Sequence, residues 1–338
     1  MVWFNKYFVD GSFNFPTDIK SRHNTTKPMI TDYALLGLIT ILILGLFRYQ
    51  LIPLKNAVIL FAFTLAYGLR YHIYYQWLNM KETDAFQQKM GSIIEEINRQ
   101  EAPAIETIPR IIIQIWVQKD PKSPKKIPVF ELDYMKRFKT LNPSFQHMFF
   151  EDDDVDTFFK QNYPEYYSTY QQLPAFIQKL DFFRYLVIYH YGGFYFDMDV
   201  EPHKPLDDAV LNHSAIFPID EYANDLQCKS SRMKSLCLVG QNFLLGQYAF
   251  GAVAKHPFFK MMVDKIHRNV QNYVKIYQQI QNVDREAVHY YVYKTTGPDF
   301  VTDCYVEYPN KHQFYILSNG RRQVFGDYGT HKYVGVWK

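Results

Sequence analysis

Residues 175–202 read AFIQKLDFFRYLVIYHYGGFYFDMDVEP. The long run from Leu173 to Tyr191 has helical character and stops at Gly192 and Gly193, the residue type on which helices commonly end. Phe194 to Phe196 then form a short apolar strand that delivers Asp197-Met198-Asp199 at its carboxyl end, where open α/β sheets place their ligand crevices. Two carboxylates two residues apart share one face of an extended strand, and a bend at Met198 lets both approach one cation. Hard oxygen ligands suit Mn²⁺ or Mg²⁺, ions that keep positions open for phosphate oxygens and neutralise a departing diphosphate. A bare D-x-D also fits an aspartyl-nucleophile phosphatase loop or an exposed strand end. Asp181 and Arg184 stand three apart on one helical face, pointing toward the same crevice as either an ion pair or ligand contacts.

Working outward, Pro109 introduces IIIQIWV, a β-branched run of the kind found in a central parallel strand. Val129–Leu141 reads as a helix, Gln146–Phe150 as a strand and Val155–Gln161 as a helix, with the acidic run Glu151 to Asp154 capping its positive end. The expected class is α/β, with a catalytic body over 108–338. Ahead of it, residues 33–47 (YALLGLITILILGLF) and 57–69 (AVILFAFTLAYGL) are apolar all round, which predicts a retained membrane anchor over 31–80 after a tail over 1–30. Each run is short against the ~20 residues needed to span a bilayer, so one span, two spans and a shallow hairpin all stay open. Tyr71, Tyr74, Tyr75 and Trp77 suit an interfacial belt. Residues 81–107 are expected to form a connecting helix or stalk.

A chain of 338 residues suits one substantial domain plus an appendage. A net charge of +3 with scattered basic residues argues against a nucleic-acid partner. The 28 Tyr and 28 Phe suit sugar stacking as well as core and membrane-interface packing. Cys228, Cys237 and Cys304 have neither zinc-site spacing nor the density of a disulfide scaffold. Pairing of Cys228 with Cys237 in an oxidising lumen is one reading; free buried thiols are the expected one. The sequon Asn212-His213-Ser214 would place the body in the lumen if modified.

The helix, double-glycine turn and DXD strand together resemble the sugar-binding DXD region of glycosyltransferase family 32. The resemblance extends over most of 108–338, from IPRIIIQIW (108–116) through LNPSF (141–145) to TGPDF (296–300) and HKYVGVW (331–337). It implies a GT-A type, Rossmann-like mixed sheet flanked by helices. Its implied activity is a metal-dependent retaining transfer of a hexose from GDP-mannose or a UDP-sugar onto a glycan or glycolipid, with Mn²⁺ (or Mg²⁺) as cofactor. Carried over position by position, Asp197, Asp199 and Arg184 would be catalytic. Trp116, Asp181, Arg184, Tyr195, Asn242 and Trp337 would bind the donor, and Asp197, Asp199 and His331 the metal. Gln241 and Asn242 are expected to precede a helix, and Gly297-Pro298-Asp299 matches a family turn. Ile113 stands where the family has His. The implied location is a membrane, of the Golgi or ER type in a eukaryotic host. A membrane-tethered glycan-binding protein without turnover and the phosphatase remain the alternatives, and the loop Tyr222–Leu236 is the candidate for acceptor contact.

Overall fold

The structure, a computed structural model, describes residues 39–62, 86, 88–118, 127–223, 228, 232–282, 285–318 and 324–334. Three helices precede the sheet: α1 (39–48), α2 (54–62) and α3 (88–99). A mixed sheet follows, built from β1 (Ile111–Ile115), β2 (Gln146–Phe150), β3 (Gly193–Phe196), β5 (Ala215–Tyr222), β6 (Phe243–Leu245), β7 (Ala249–Ala252) and β8 (Phe314–Leu317). Its order is β2-β1-β3-β7-β5-β6, with β8 alongside the first half of β5. β1 lies parallel to β2 and β3, while β7 runs antiparallel to both β3 and β5. β3 and β5 therefore point the same way and end at the same edge. A second sheet, β4-β10-β9, joins β4 (Val200–Pro202) to β9 (Val324–Phe325) and β10 (Gly329–His331).

Strand alternation divides the core between the two faces of the sheet. Ile113, Tyr195, Phe217 and Phe250 face one cluster, and Ile112, Phe194, Phe196 and Ile216 the other. Ile113 is wholly buried and pairs with Met148 and Tyr195, so the family's histidine position is here simple core. The first face is covered by α5 (Asp152–Asn162), α6 (Pro164–Gln172), α7 (Phe176–Tyr191), α10 (Pro257–Ile280), α11 (Arg285–Thr295) and α12 (Pro298–Glu307). α10 buries Phe258, Phe259, Met262, Val263, Ile266, Val270 and Tyr273, the three-and-four spacing of an amphipathic helix. The second face takes α4 (Val129–Leu141) and α8 (Asp208–Leu211) through Phe138, Val210 and Leu211.

α7 is buried over most of its length and stops as expected. Gly192 and Gly193 have φ of 68° and 93°, and a Cβ on Gly193 would lie 2.6 Å from the Ile111 carbonyl oxygen. Only glycine allows β3 to start that close to β1. The acidic run caps α5 as read: the Glu151 amide donates to Asp154 Oδ2 at 2.9 Å in a capping box.

Four expectations need correction or comment. Leu173 belongs to the turn after α6, so α7 starts later, at Phe176. Gln241 and Asn242 precede a strand, β6, and not a helix. Cys228 and Cys237 are joined in a disulfide, which closes a nine-residue separation across the loop before α9 (Lys234–Leu238), while Cys304 is free and buried. The stretch expected as a stalk packs into the body: Met90 and Ile94 are buried, and Asn98 exchanges two hydrogen bonds with the backbone of Ile316, at 3.0 and 2.8 Å. α1 and α2 expose Ile41, Leu42, Leu44, Val58 and Ile59. Among the described residues no helix is long and apolar enough to cross a membrane. Residues 33–38 and 63–69 of the expected anchor, the belt from Tyr71 to Trp77, and Trp337 lie outside the described residues.

Candidate active site

The Asp-x-Asp segment sits in the turn between β3 and β4, at the carboxyl edge of the sheet. Its position is fixed from both ends, since the Asp197 amide donates to the Tyr248 carbonyl at 2.7 Å and the Val200 amide to the Asp197 carbonyl at 3.1 Å. Tyr195, two residues earlier on the same face, donates its hydroxyl to Asp197 Oδ1 at 2.5 Å.

From α7, Arg184 reaches Asp197 Oδ1 at 3.1 Å and Asp181 Oδ1 at 3.4 Å, and its guanidinium lies 4.7 Å from the centroid of the Tyr195 ring. The three-residue spacing that put Asp181 and Arg184 on one face thus becomes a buried Asp–Arg–Asp line. Asp181 lies beneath the guanidinium, where Thr296 donates to its Oδ2 at 2.7 Å. Burial raises the Asp181 carboxyl to about 7, with Arg184 pulling the other way. Burial likewise raises Asp197, opposed by Arg184 and reinforced by Asp199. Burial works against the charged guanidinium too, but Asp197 and its neighbours outweigh it, so Arg184 stays positive.

Asp199 is held from the last strand. His331 Nε2 lies 3.3 Å from Asp199 Oδ1, the Val334 amide donates to Oδ2 at 2.9 Å, and the Lys332 amide donates to its carbonyl at 3.0 Å. β10 pairs antiparallel with β4, with His331 opposite Val200, which is how a residue so distant in sequence reaches the turn. Glu201 adds an ion pair to each side, Arg137 of α4 at 3.0 Å and Lys332 at 2.5 Å. Burial would raise Asp199, but His331 outweighs it and the carboxyl lies below its ordinary value. Burial would lower His331, and the bond to Asp199 outweighs that, so its pKa is raised. The His331 ring stacks on Tyr248 at 4.6 Å.

One ligand atom each from Asp197, Asp199 and His331 lies within 4.8 Å of the others, a spacing that one cation can bridge. Two carboxylates and an imidazole form a donor set suited to Mn²⁺ or Mg²⁺. Around them the site keeps buried polar atoms with no partner among the described residues, Arg184 Nε, His331 Nδ1 and Glu131 Oε2, and Trp116 Nε1 beyond β1 is likewise unpartnered. Such orphans fit a place where a polar ligand completes the bonding.

The structure thus brings together Asp181, Arg184, Tyr195, Asp197, Asp199 and His331. Trp116 follows β1, and its amide donates to the Phe150 carbonyl at 2.9 Å. The main-chain carbonyl of Asn242 accepts from the Ala223 amide at 2.8 Å. The glutamine that touches Arg184 is Gln247, whose carbonyl accepts from the guanidinium at 3.3 Å while its side chain donates to Tyr185 Oη and the Thr296 carbonyl. Asp299 of the TGP turn is wholly buried and paired with Arg232 at 2.5 Å and Lys294 at 3.4 Å. Glu131 was not singled out from sequence. It is 1% exposed, and burial followed by the charges of Asp199 and Asp197 raises its carboxyl to about 7. The available signal was a charged residue on the buried face of α4, seven before Phe138.

A turn thus gathers two aspartates and a histidine at the carboxyl edge of a mixed sheet, with a buried arginine behind it, the arrangement of a candidate divalent-cation site. Residues 128–217 match the family described as the glycosyltransferase sugar-binding region containing DXD motif, in line with the resemblance to family 32. Inositol phosphoceramide mannosyltransferase 1 of Schizosaccharomyces pombe is 26% identical over 68% of this chain and 60% of its own length. The initiation-specific alpha-1,6-mannosyltransferase of Candida albicans is 26% identical over 60% of this chain and 53% of its own. The chain thus matches little more than half the length of these relatives. A solved structure, the PaToxG glycosyltransferase, covers 68% of this chain and 80% of its own at 17% identity and a TM-score of 0.43, a likeness too loose to carry an argument.

Proposed function

We propose that this chain is a metal-dependent, retaining hexosyltransferase of GT-A type that moves a sugar, mannose by analogy with the relatives, from a nucleotide-sugar onto a glycan or glycolipid. The observation that carries this reading is the convergence of Asp197, Asp199 and His331 within 4.8 Å, beside a buried Arg184. These three residues would hold the divalent cation. When bound, that cation supplies positive charge against the diphosphate of the donor.

The chain's own residues do the rest. Arg184 keeps Asp197 ionised and aimed, and its unpartnered Nε is left to bond a donor oxygen. Asp181 acts through Arg184, locking the guanidinium in place from beneath. Trp116, with its indole N–H free to donate, would bind on the nucleotide side. Fixed donors and charges of this kind require no reorganisation as the glycosidic bond breaks. Neither carboxylate of the Asp-x-Asp pair stands free as an enzymic nucleophile in this reading, because Asp197 is engaged by Arg184 and Tyr195 and Asp199 by His331. The same engagement weighs against the phosphatase alternative.

We also propose membrane association through the exposed apolar residues of α1 and α2, with residues 31–80 as the anchor, 81–107 as the connection and 108–338 as the catalytic domain. The Cys228–Cys237 disulfide and the exposed Asn212 of the sequon support a body in an oxidising, Golgi- or ER-type lumen.

The test is nucleotide release from a panel of GDP- and UDP-sugars by detergent-solubilised protein with Mn²⁺, beside Asp197→Asn/Asp199→Asn. Metal-dependent release of one nucleotide, lost in the double variant, is expected. Binding of a donor without turnover would favour a non-catalytic glycan-binding protein, and no binding at all would sink the reading.

A further inference from the structure

β3 and β5 are parallel and end at the same edge of the sheet, with the start of β7 between them. β3 delivers Asp197 there. β5 carries a second acidic pair near its own end, Asp220-Glu221. The register against β6 slips at this point, so that Ile219 pairs with Leu245 and Glu221 with Leu244, leaving Asp220 as the extra residue of a bulge. Bulges re-aim a side chain out of the pleat and are common beside active sites.

The bulge is tied to the metal-binding residues by direct contacts. Tyr248 donates to the Ile219 carbonyl at 3.3 Å, its ring stacks on His331, and His331 holds Asp199. Burial raises the Asp220 carboxyl to about 6, opposed by Arg232 and His331 and reinforced by Glu221 and Asp299. Arg232, the nearest source of positive charge, is already committed: it bonds both oxygens of Asp299, at 3.0 and 3.1 Å from Nε, and Glu221 at 3.3 Å. The aromatic ring tied to the bulge by contact is that of Tyr248, which lies between it and His331. Asp220 itself is partly exposed. A carboxylate at the edge of the site, next to Glu221 and near the Tyr248 ring, is chemically suited to hydroxyl groups on an uncharged ring and ill suited to an anion.

We propose that Asp220 forms the acceptor subsite, accepting a hydrogen bond from the attacking hydroxyl of a neutral polyol ring, a sugar or cyclitol, and orienting it toward the donor. This rests on the hexosyltransferase reading above. In the transfer, the acceptor oxygen bonds to the anomeric carbon as the bond from that carbon to the diphosphate oxygen breaks. The hydroxyl proton passes to the departing diphosphate oxygen, and Asp220 ends the step ionised, having aimed the O–H without keeping its proton.

The experiment uses the full chain in detergent with Mn²⁺ and saturating nucleoside diphosphate, GDP or UDP as the protein retains. Methyl α-D-mannopyranoside and myo-inositol are titrated as probes by calorimetry and saturation-transfer NMR against wild type, Asp220→Ala and Asp220→Asn. At least one ring binds wild type, and Asp220→Ala weakens it by about tenfold or more, the range for a lost hydrogen bond to a charged group. Asp220→Asn, which keeps an accepting oxygen, loses less, and nucleotide affinity stays within about twofold in both variants. Unchanged ring affinity in Asp220→Ala overturns the proposal, as does a loss matched by nucleotide affinity in both variants, or a wild type that binds nucleotide and neither ring. A wild type that binds no nucleotide sinks the transferase reading itself.

Discussion

Glu131 offers the sharpest test of the site's electrostatics. The residue is buried, its Oε2 has no partner among the described residues, and its carboxyl is raised from 4.5 to about 7 by burial and then by Asp199 and Asp197. A raised carboxyl contributes stability that is full below pH 4.5, is lost as pH rises through about 7 and changes no further above that. Glu131→Gln replaces the acid with a neutral group of the same shape and removes the loss. Integrating between the two values gives a gain for the metal-free variant of about 1 kcal/mol at pH 5 and about 3 kcal/mol at pH 8. The assay is urea unfolding of EDTA-treated wild type and variant at both pH values, read as free energy from midpoint and slope. With saturating Mn²⁺ the gap at pH 8 should narrow, because positive charge at Asp197 and Asp199 favours the ionised glutamate. A gain equal at the two pH values would refute the argument, and so would no gain at pH 8.

Arg184→Met leaves Asp181 and Asp197 without their shared cation, and breaking a buried pair in this way typically costs about 3–5 kcal/mol, measurable as a lowered thermal midpoint. Asp299 is raised by burial, but Arg232 and Lys294 outweigh this and hold it below 3.8. Its contribution is present above 3.8 and lost as pH falls toward the folded value, so Asp299→Asn should be less stable at pH 7 and show a shallower acid-unfolding profile below pH 3.8, followed by circular dichroism. Cys228→Ser/Cys237→Ser opens a loop closed over a separation of nine residues and should lose about 2–3 kcal/mol, with reductant lowering the midpoint of wild type and not of the variant.

The DXD strand and its helix were legible because each announces itself locally. An apolar helix stopped by two glycines and followed by Phe-Tyr-Phe leaves little freedom in where Asp197 falls, and α4 and β2 matched their expected bounds. What could not be read is what depends on non-local pairing. β7 is the four-residue Ala-Phe-Gly-Ala, with no pattern of its own, yet it inserts between β3 and β5 and brings Gln247 and Tyr248 to the site. The bulge at Asp220 exists only in the register against β6. Nothing in the sequence singles out Gln247, because its main-chain carbonyl reaches Arg184 only once β7 is in place. The Cys228–Cys237 bond was missed because spacing alone does not say whether the chain between two cysteines doubles back.

The pairing of β10 with β4 also sets an order of events in the making of the protein. The turn bearing Asp197 and Asp199 is translated early and can fold with β3, but the partner that holds Asp199 arrives with residue 331. A chain still on the ribosome therefore carries the two aspartates without the histidine that completes the candidate set until β10 docks. Assembly of the turn reports that β10 has docked, and a product truncated before residue 329 would keep most of its core and lack the histidine that holds Asp199.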